Sequence, residues 1–225
     1  MRPPELDLVR LRQGLYRFFV VAFAPPEPAR LDQLEPAAEL LDGLGVDTLA
    51  FADPWRDMRN MLIDRGPFDE LEARYVQLFE SGSDTTLCPP IESFYLASPR
   101  QGGPAVITAD LETEYGRLGM ALSSTTMLSA DHICPQLELM ALMCAQEAEA
   151  GERGDPECVS SWSREQRQFT DHHLSRWVPL FAARVRDTPA TGLYPAFVAA
   201  LAAFVDHDRE LLHALDRRER TGPRS

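Results

Sequence analysis

The chain has 225 residues, 44% hydrophobic and 25% charged, enough to bury a sizeable core as one large domain or two small ones without disulfides or metal. Its formal net charge of −13 argues against nucleic acid or an anionic membrane as partner, since both select a basic surface. All 22 basic residues other than histidine are arginine.

Residues 5 to 23 read as a first helix, with Leu8, Leu11, Leu15, Phe18 and Ala22 at helical spacing and Pro25-Pro26 as its stop. Leu31 to Leu44 is a short helix weakened at its end by Gly43 and Gly45. Asp53 to Ile63 follows, with Asp53 as N-cap and Pro54 in the first turn. Phe68 to Phe79 is a helix whose end carries Tyr75, Leu78 and Phe79 on one face. From Glu80 to Gly103 no regular helix is expected. Pro89, Pro90, Pro99 and Pro104 fall in or beside this stretch, yet Ile91, Phe94, Tyr95 and Leu96 are too apolar for disorder. An ordered functional loop is the better reading.

Val106 to Leu118 is helical. After the polar run Ser123 to Thr126, Asp131 is expected to cap a strong helix that has Pro135 in its first turn and Ile133, Leu137, Met140 and Cys144 along one face. Gly151 to Pro156 ends it. Ser161 to Trp177 is a further helix, with Pro179 at its end or in a short helix to Val185. Leu193 to Leu215 is the last long helix, and 217–225 is a charged tail. No strand signal or internal repeat is found. The expectation is a single all-α domain over 1–216, with about nine or ten helices.

The four cysteines, Cys88, Cys134, Cys144 and Cys158, form no C-x-x-C and have no zinc spacing, so reduced thiols are expected. The start, Met1-Arg2-Pro3-Pro4-Glu5, has no apolar core of a signal peptide, and the longest apolar run, around Tyr194 to Val205, is too short to span a bilayer. A cytoplasmic protein is expected.

One stretch organises the rest. Tyr75-x-x-Leu78-Phe79 closes a helix, Ser81-Gly82-Ser83-Asp84 breaks it, Pro89-Pro90 forces an extended path, and Glu92-Ser93 places a carboxylate among apolar residues. This order resembles the TorD/DmsD/NarJ family of chaperones for molybdenum-cofactor oxidoreductases. The family's second motif, Glu-Pro-x-Asp-His, is matched by Asp131-His132 and the following Leu137-Glu138-Leu139-Met140. The Glu-Pro is absent. Phe169-x-x-His172-His173-Leu174-x-x-Trp177 resembles the family's His-Leu-x-x-Trp helix.

The resemblance implies an all-α chaperone, not an enzyme, with no cofactor of its own, as monomer or homodimer. Its partner would be the catalytic subunit of a molybdenum-cofactor oxidoreductase, held through its N-terminal leader for cofactor insertion before assembly or export. A twin-arginine leader is flexible, with two guanidinium groups and an apolar stretch, so it calls for an apolar groove with carboxylates beside it. Tyr75, Leu78, Phe79, Pro89, Pro90 and Tyr95 are expected to line that groove. Glu92 and Asp131 are expected to supply charge, and His132 to orient it.

The alternatives are a small metal-dependent enzyme using Asp131, His132 and a later histidine, or a generic helical scaffold. No HExxH, HxH, G-x-S-x-G or P-loop is present, and a chain without lysine cannot supply the P-loop lysine. His172 and His173, if α-helical, point about 100° apart, poor geometry for one ion.

Overall fold

The computed structural model describes residues 3–80, 88–98, 102–121 and 128–221. These form α1 (Pro3–Phe23), α2 (Pro28–Gly43), α3 (Ala52–Ile63), α4 (Phe68–Tyr75), α5 (Glu92–Leu96), α6 (Pro104–Arg117), α7 (Ile133–Glu152), α8 (Pro156–Phe169), α9 (Ser175–Arg186) and α10 (Leu193–Thr221). A 3-10 turn spans Val46–Thr48. No named strand occurs among the described residues; the one extended pairing recorded there is an isolated antiparallel bridge between Ile91 and His132.

The periodic apolar positions explain the packing. α7 is buried on almost every side, from Ile133 through Leu137 and Met140 to Ala148. It lies between α1 and α8, while α10 packs on α9 and α3. α1 brings Tyr16, Phe19 and Phe23 to 0% exposure. Aromatic rings join the layers: Phe19 stacks on Phe204 at 5.9 Å between centroids, and Phe18 meets Trp55 at 5.1 Å. Edge-to-face and offset contacts of this kind add to the burial itself.

Several local expectations are corrected. The Glu80–Gly103 stretch contains α5. α8 begins at Pro156 rather than Ser161, because Asp155 accepts the Cys158 amide at 3.0 Å and proline tolerates the first helical position. The helix expected over 161–177 is interrupted by a π segment, Thr170–Leu174, while Pro179 falls in a short following helix, α9, as one of the two expected placements has it. α10 continues to Thr221, past the expected start of the tail at Arg217, and 222–225 fall outside the described residues. So do the helix breaker at 81–84 and the polar run at 123–126.

Candidate functional site

The helix end at Tyr75 does not stop cleanly. After α4 the chain passes into a π segment, Val76–Glu80. Such single wide turns inside α-helices are frequent at functional sites. Here the turn sends both Leu78 and Phe79 inward. Phe79 meets Tyr75 at 5.1 Å, Tyr194 at 5.6 Å, and Phe181 at 5.9 Å. The Tyr75 hydroxyl donates to the Phe23 carbonyl at 3.1 Å. Tyr75 and Phe79 are 2% and 3% exposed, and their rings pack against aromatic neighbours on α1, α9 and α10.

The Pro-Pro strap is anchored at both ends. The Cys88 amide donates to the Leu78 carbonyl at 2.9 Å. Beyond Pro90 the strap pairs with the residues that lead into α7: Ile133 N–H donates to the Pro90 carbonyl at 2.8 Å, and Glu92 N–H to the Asp131 carbonyl at 2.9 Å. Pro89 and Pro90 are buried beneath this crossing. The two sequence motifs are therefore one structural unit.

Within it, the cap of α7 is His132, not Asp131. His132 Nδ1 accepts the Cys134 amide at 3.2 Å, which requires an unprotonated Nδ1. Burial pushes the His132 imidazole down to about 4, against the pull of the Asp131 charge. Asp131 points across the strap instead, and its Oδ2 accepts the Ser93 amide in the first turn of α5 at 3.2 Å. The dipeptide thus serves two helix starts. Asp131 and His132 are 2% and 6% exposed.

Glu92 lies at the centre of a buried polar network. Gln136 Nε2 donates to Glu92 Oε2 at 2.9 Å, and Trp177 Nε1 donates to Gln136 Oε1 at 3.1 Å. His173 Nδ1 lies 3.1 Å from both Glu92 oxygens, and its Nε2 lies 3.2 Å from Glu114 Oε2. An imidazole with a carboxylate at each nitrogen donates from both when protonated. Burial opposes that charge, but the hydrogen bonds and charges of Glu114 and Glu92 push His173 up to about 9. The π segment aims this ring inward, a signal that helical spacing could not give. Glu92 is thus already matched by a cation of the same chain.

Two concave surfaces flank the unit. One, about 180 Å³, is lined by Glu92, Leu96, Val106, Asp110, His173 and Arg176, among others. The other is a groove of about 250 Å³ between the π segment and the start of α10. Leu78, Pro189, Ala190, Tyr194 and Pro195 give it an apolar lining, with Arg74, Gln77, Thr188 and Thr191 around them. Gly192, at φ 97°, makes the turn beside it, a backbone region that glycine enters at least cost. The Tyr194 hydroxyl is buried without a hydrogen-bond partner. Tyr95 stacks on Trp177 at 5.8 Å and is half-buried between these surfaces and the core.

Of the expected groove residues, Leu78 lines the apolar groove, and Glu92 the polar cleft. Tyr194, Asp110 and His173 were not singled out as site residues; their positions depend on long-range packing. Among the described residues no group of three or more His, Cys, Asp or Glu side chains is arranged to hold a metal ion. Four of the five histidines have separate surroundings: His132 caps α7, His173 bridges two glutamates, His207 packs on Phe51, and His213 meets Asp171, while His172 lines the same cleft as His173. No helix among the described residues is long and apolar enough to cross a membrane.

The model of the nitrate reductase delta subunit family matches residues 47–183. Similar proteins include the perchlorate reductase assembly chaperone of Dechloromonas aromatica, 26% identical over 66% of this chain, and the chlorate reductase assembly chaperone of Ideonella dechloratans, 29% identical over 72%. The selenate reductase assembly chaperone of Thauera selenatis is 30% identical over 72%. The matched region spans 65%, 81% and 83% of those relatives in turn. A solved structure from Archaeoglobus fulgidus, assigned to redox enzyme maturation, superposes with a TM-score of 0.52 at 20% identity, covering 86% of this chain and 93% of that one. That likeness speaks to the fold.

Proposed function

Because this chain belongs to the nitrate reductase delta subunit family, the TorD/NarJ group of chaperones, we propose that it is an assembly chaperone for the catalytic subunit of a molybdenum-cofactor oxidoreductase. It acts in the cytoplasm, binds the N-terminal leader of the apo subunit, and holds that subunit until cofactor is inserted.

The observation that carries the leader reading is the apolar groove beside the Tyr-x-x-Leu-Phe helix end, lined by Leu78, Pro189, Ala190, Tyr194 and Pro195. An extended peptide offers apolar side chains to such a groove. Leu78 and Tyr194 contact the leader. Asp110, exposed on α6, is the carboxylate placed to meet arginine, with Glu92 behind it already neutralised by His173. Tyr75, Phe79, Pro89, Pro90, Tyr95, Asp131 and His132 hold this surface in shape.

Titration of the chain with a synthetic leader peptide tests the reading. Thr191→Trp, an exposed site on the groove, should weaken binding at least about tenfold without lowering the melting midpoint. Unchanged affinity would remove the groove from the site.

A further inference from the structure

α9 joins the polar cleft to the apolar groove. Arg176, in its first turn, lines the cleft, and Thr188 and Pro189, just past its end at Arg186, line the groove. At ~1.5 Å per residue the helix carries the chain roughly 15 Å from one to the other. Between them Leu180, one turn beyond Arg176, is 47% exposed. Phe94, from α5, is 46% exposed although the Arg184 guanidinium lies over its ring at 5.0 Å. Arg184 follows Leu180 by one further turn, so Phe94 lies along the same side of α9. Val106, in the lining of the cleft, is exposed as well. Large apolar side chains left open together, rather than singly, mark interaction surfaces.

The two ends differ in charge. The groove's charged lining residue is a cation, Arg74, which meets Glu70 at 3.4 Å, and its other polar residues are neutral. In the cleft Glu92 is matched by His173, while Asp110 is exposed on α6. On the leader reading above, we propose that cleft and groove are the two ends of one track along α9, occupied by a single leader segment whose arginine sits at Asp110 and whose apolar stretch fills the groove, roughly 15–20 Å away. Arg74 repels a guanidinium from the groove, and Asp110 accepts one at the far end through a charge-assisted hydrogen bond. Arg176 has donors beyond the one that reaches the His172 carbonyl at 3.4 Å, and these serve peptide carbonyls passing over the helix. Leu180 and Phe94 cover the intervening residues. The track selects a leader by the distance between its arginine and its apolar stretch, which neither end measures alone.

Synthetic peptides with Arg-Arg and Leu-Leu-Phe joined by proline spacers probe that distance, because proline runs are stiff and rise ~3.1 Å per residue. Titrated into the full chain by fluorescence anisotropy, a spacer of about five residues should bind about tenfold more tightly than one of about two or about ten. Gln-Gln in place of Arg-Arg should remove the preference. So should Asp110→Asn, an exposed change that leaves the melting midpoint in place. Asp187→Asn, at an exposed carboxylate beside the groove end, should not. The synthetic leader peptide is titrated in parallel. If it binds while the spacers all bind alike, or the preference survives Asp110→Asn, the track is overturned and the leader reading stands. Loss of the preference in Asp187→Asn overturns it too. If neither the leader nor any spaced peptide binds, both fall together.

Discussion

His173 is held between Glu92 and Glu114, 3.1 Å from the first carboxylate and 3.2 Å from the second, by a π turn that aims its ring into the crossing of the two motifs. The ring's pKa rises from an ordinary 6.5 to about 9 when the chain folds. A folded value above the unfolded one means stability that is complete below pH 6.5 and lost as pH rises through 9. Glu114, held below its usual range by the hydrogen bond from His173 against the effect of burial, keeps its charge well into acid. A charged hydrogen bond of this kind contributes about 2 kcal/mol, or roughly 4–8 °C in melting midpoint for a chain of this length. His173→Gln should lower the midpoint at pH 6 by that amount and flatten its decline up to pH 9.5. A variant that still declined as steeply as the wild type would assign the titration to another group.

His132 has the opposite sign. Its folded pKa of about 4 lies below the ordinary 6.5, so the unfolded chain takes up the proton first. Stability is lost as pH falls from 6.5 toward 4. Asparagine caps helices as well as any residue and does not titrate. His132→Asn should therefore keep α7 intact at pH 7 and reduce the acid slope of stability, read by denaturant melts at intervals between pH 4 and 7.

Asp131 supports α5 across the strap rather than its own helix. Asp131→Ala removes the acceptor of a buried amide and should cost about 1–3 kcal/mol. Asp131→Asn keeps an acceptor oxygen and should cost clearly less. Equal losses in the two variants would show that charge, and not the Ser93 hydrogen bond, is what the position supplies.

Phe79→Ala is expected to destabilise the chain by about 3–5 kcal/mol, because it empties a site walled by Tyr75, Phe181 and Tyr194. Chemical denaturation measures this directly. Loss of leader binding in that variant would report on folding as much as on contact, so groove residues such as Thr191 are the sharper probes.

The all-α class and the helices with clean apolar periodicity, such as α1, α3 and α7, were legible in the sequence because burial of one face leaves a 3.6-residue rhythm. That Glu92-Ser93 and Asp131-His132 share one region was implied by the family resemblance, since their spacing shows only that they could converge. The π turns were not legible: one extra residue per turn breaks the rhythm without leaving a composition signal, and His172-His173 consequently read as two diverging α-helical side chains. Nor could spacing tell which member of Asp131-His132 caps α7, since both side chains carry acceptors. The Arg12–Asp208 pair joins residues 196 positions apart and leaves no local trace.

The chaperone role is tested most directly by gentle affinity purification of the tagged chain from cells making a molybdenum-cofactor oxidoreductase, with mass spectrometry of what co-elutes. The expected result is the large catalytic subunit with its N-terminal leader intact, depleted when the bait carries Thr191→Trp. Absence of that subunit from the wild-type eluate, while the cells are producing it, would contradict the role.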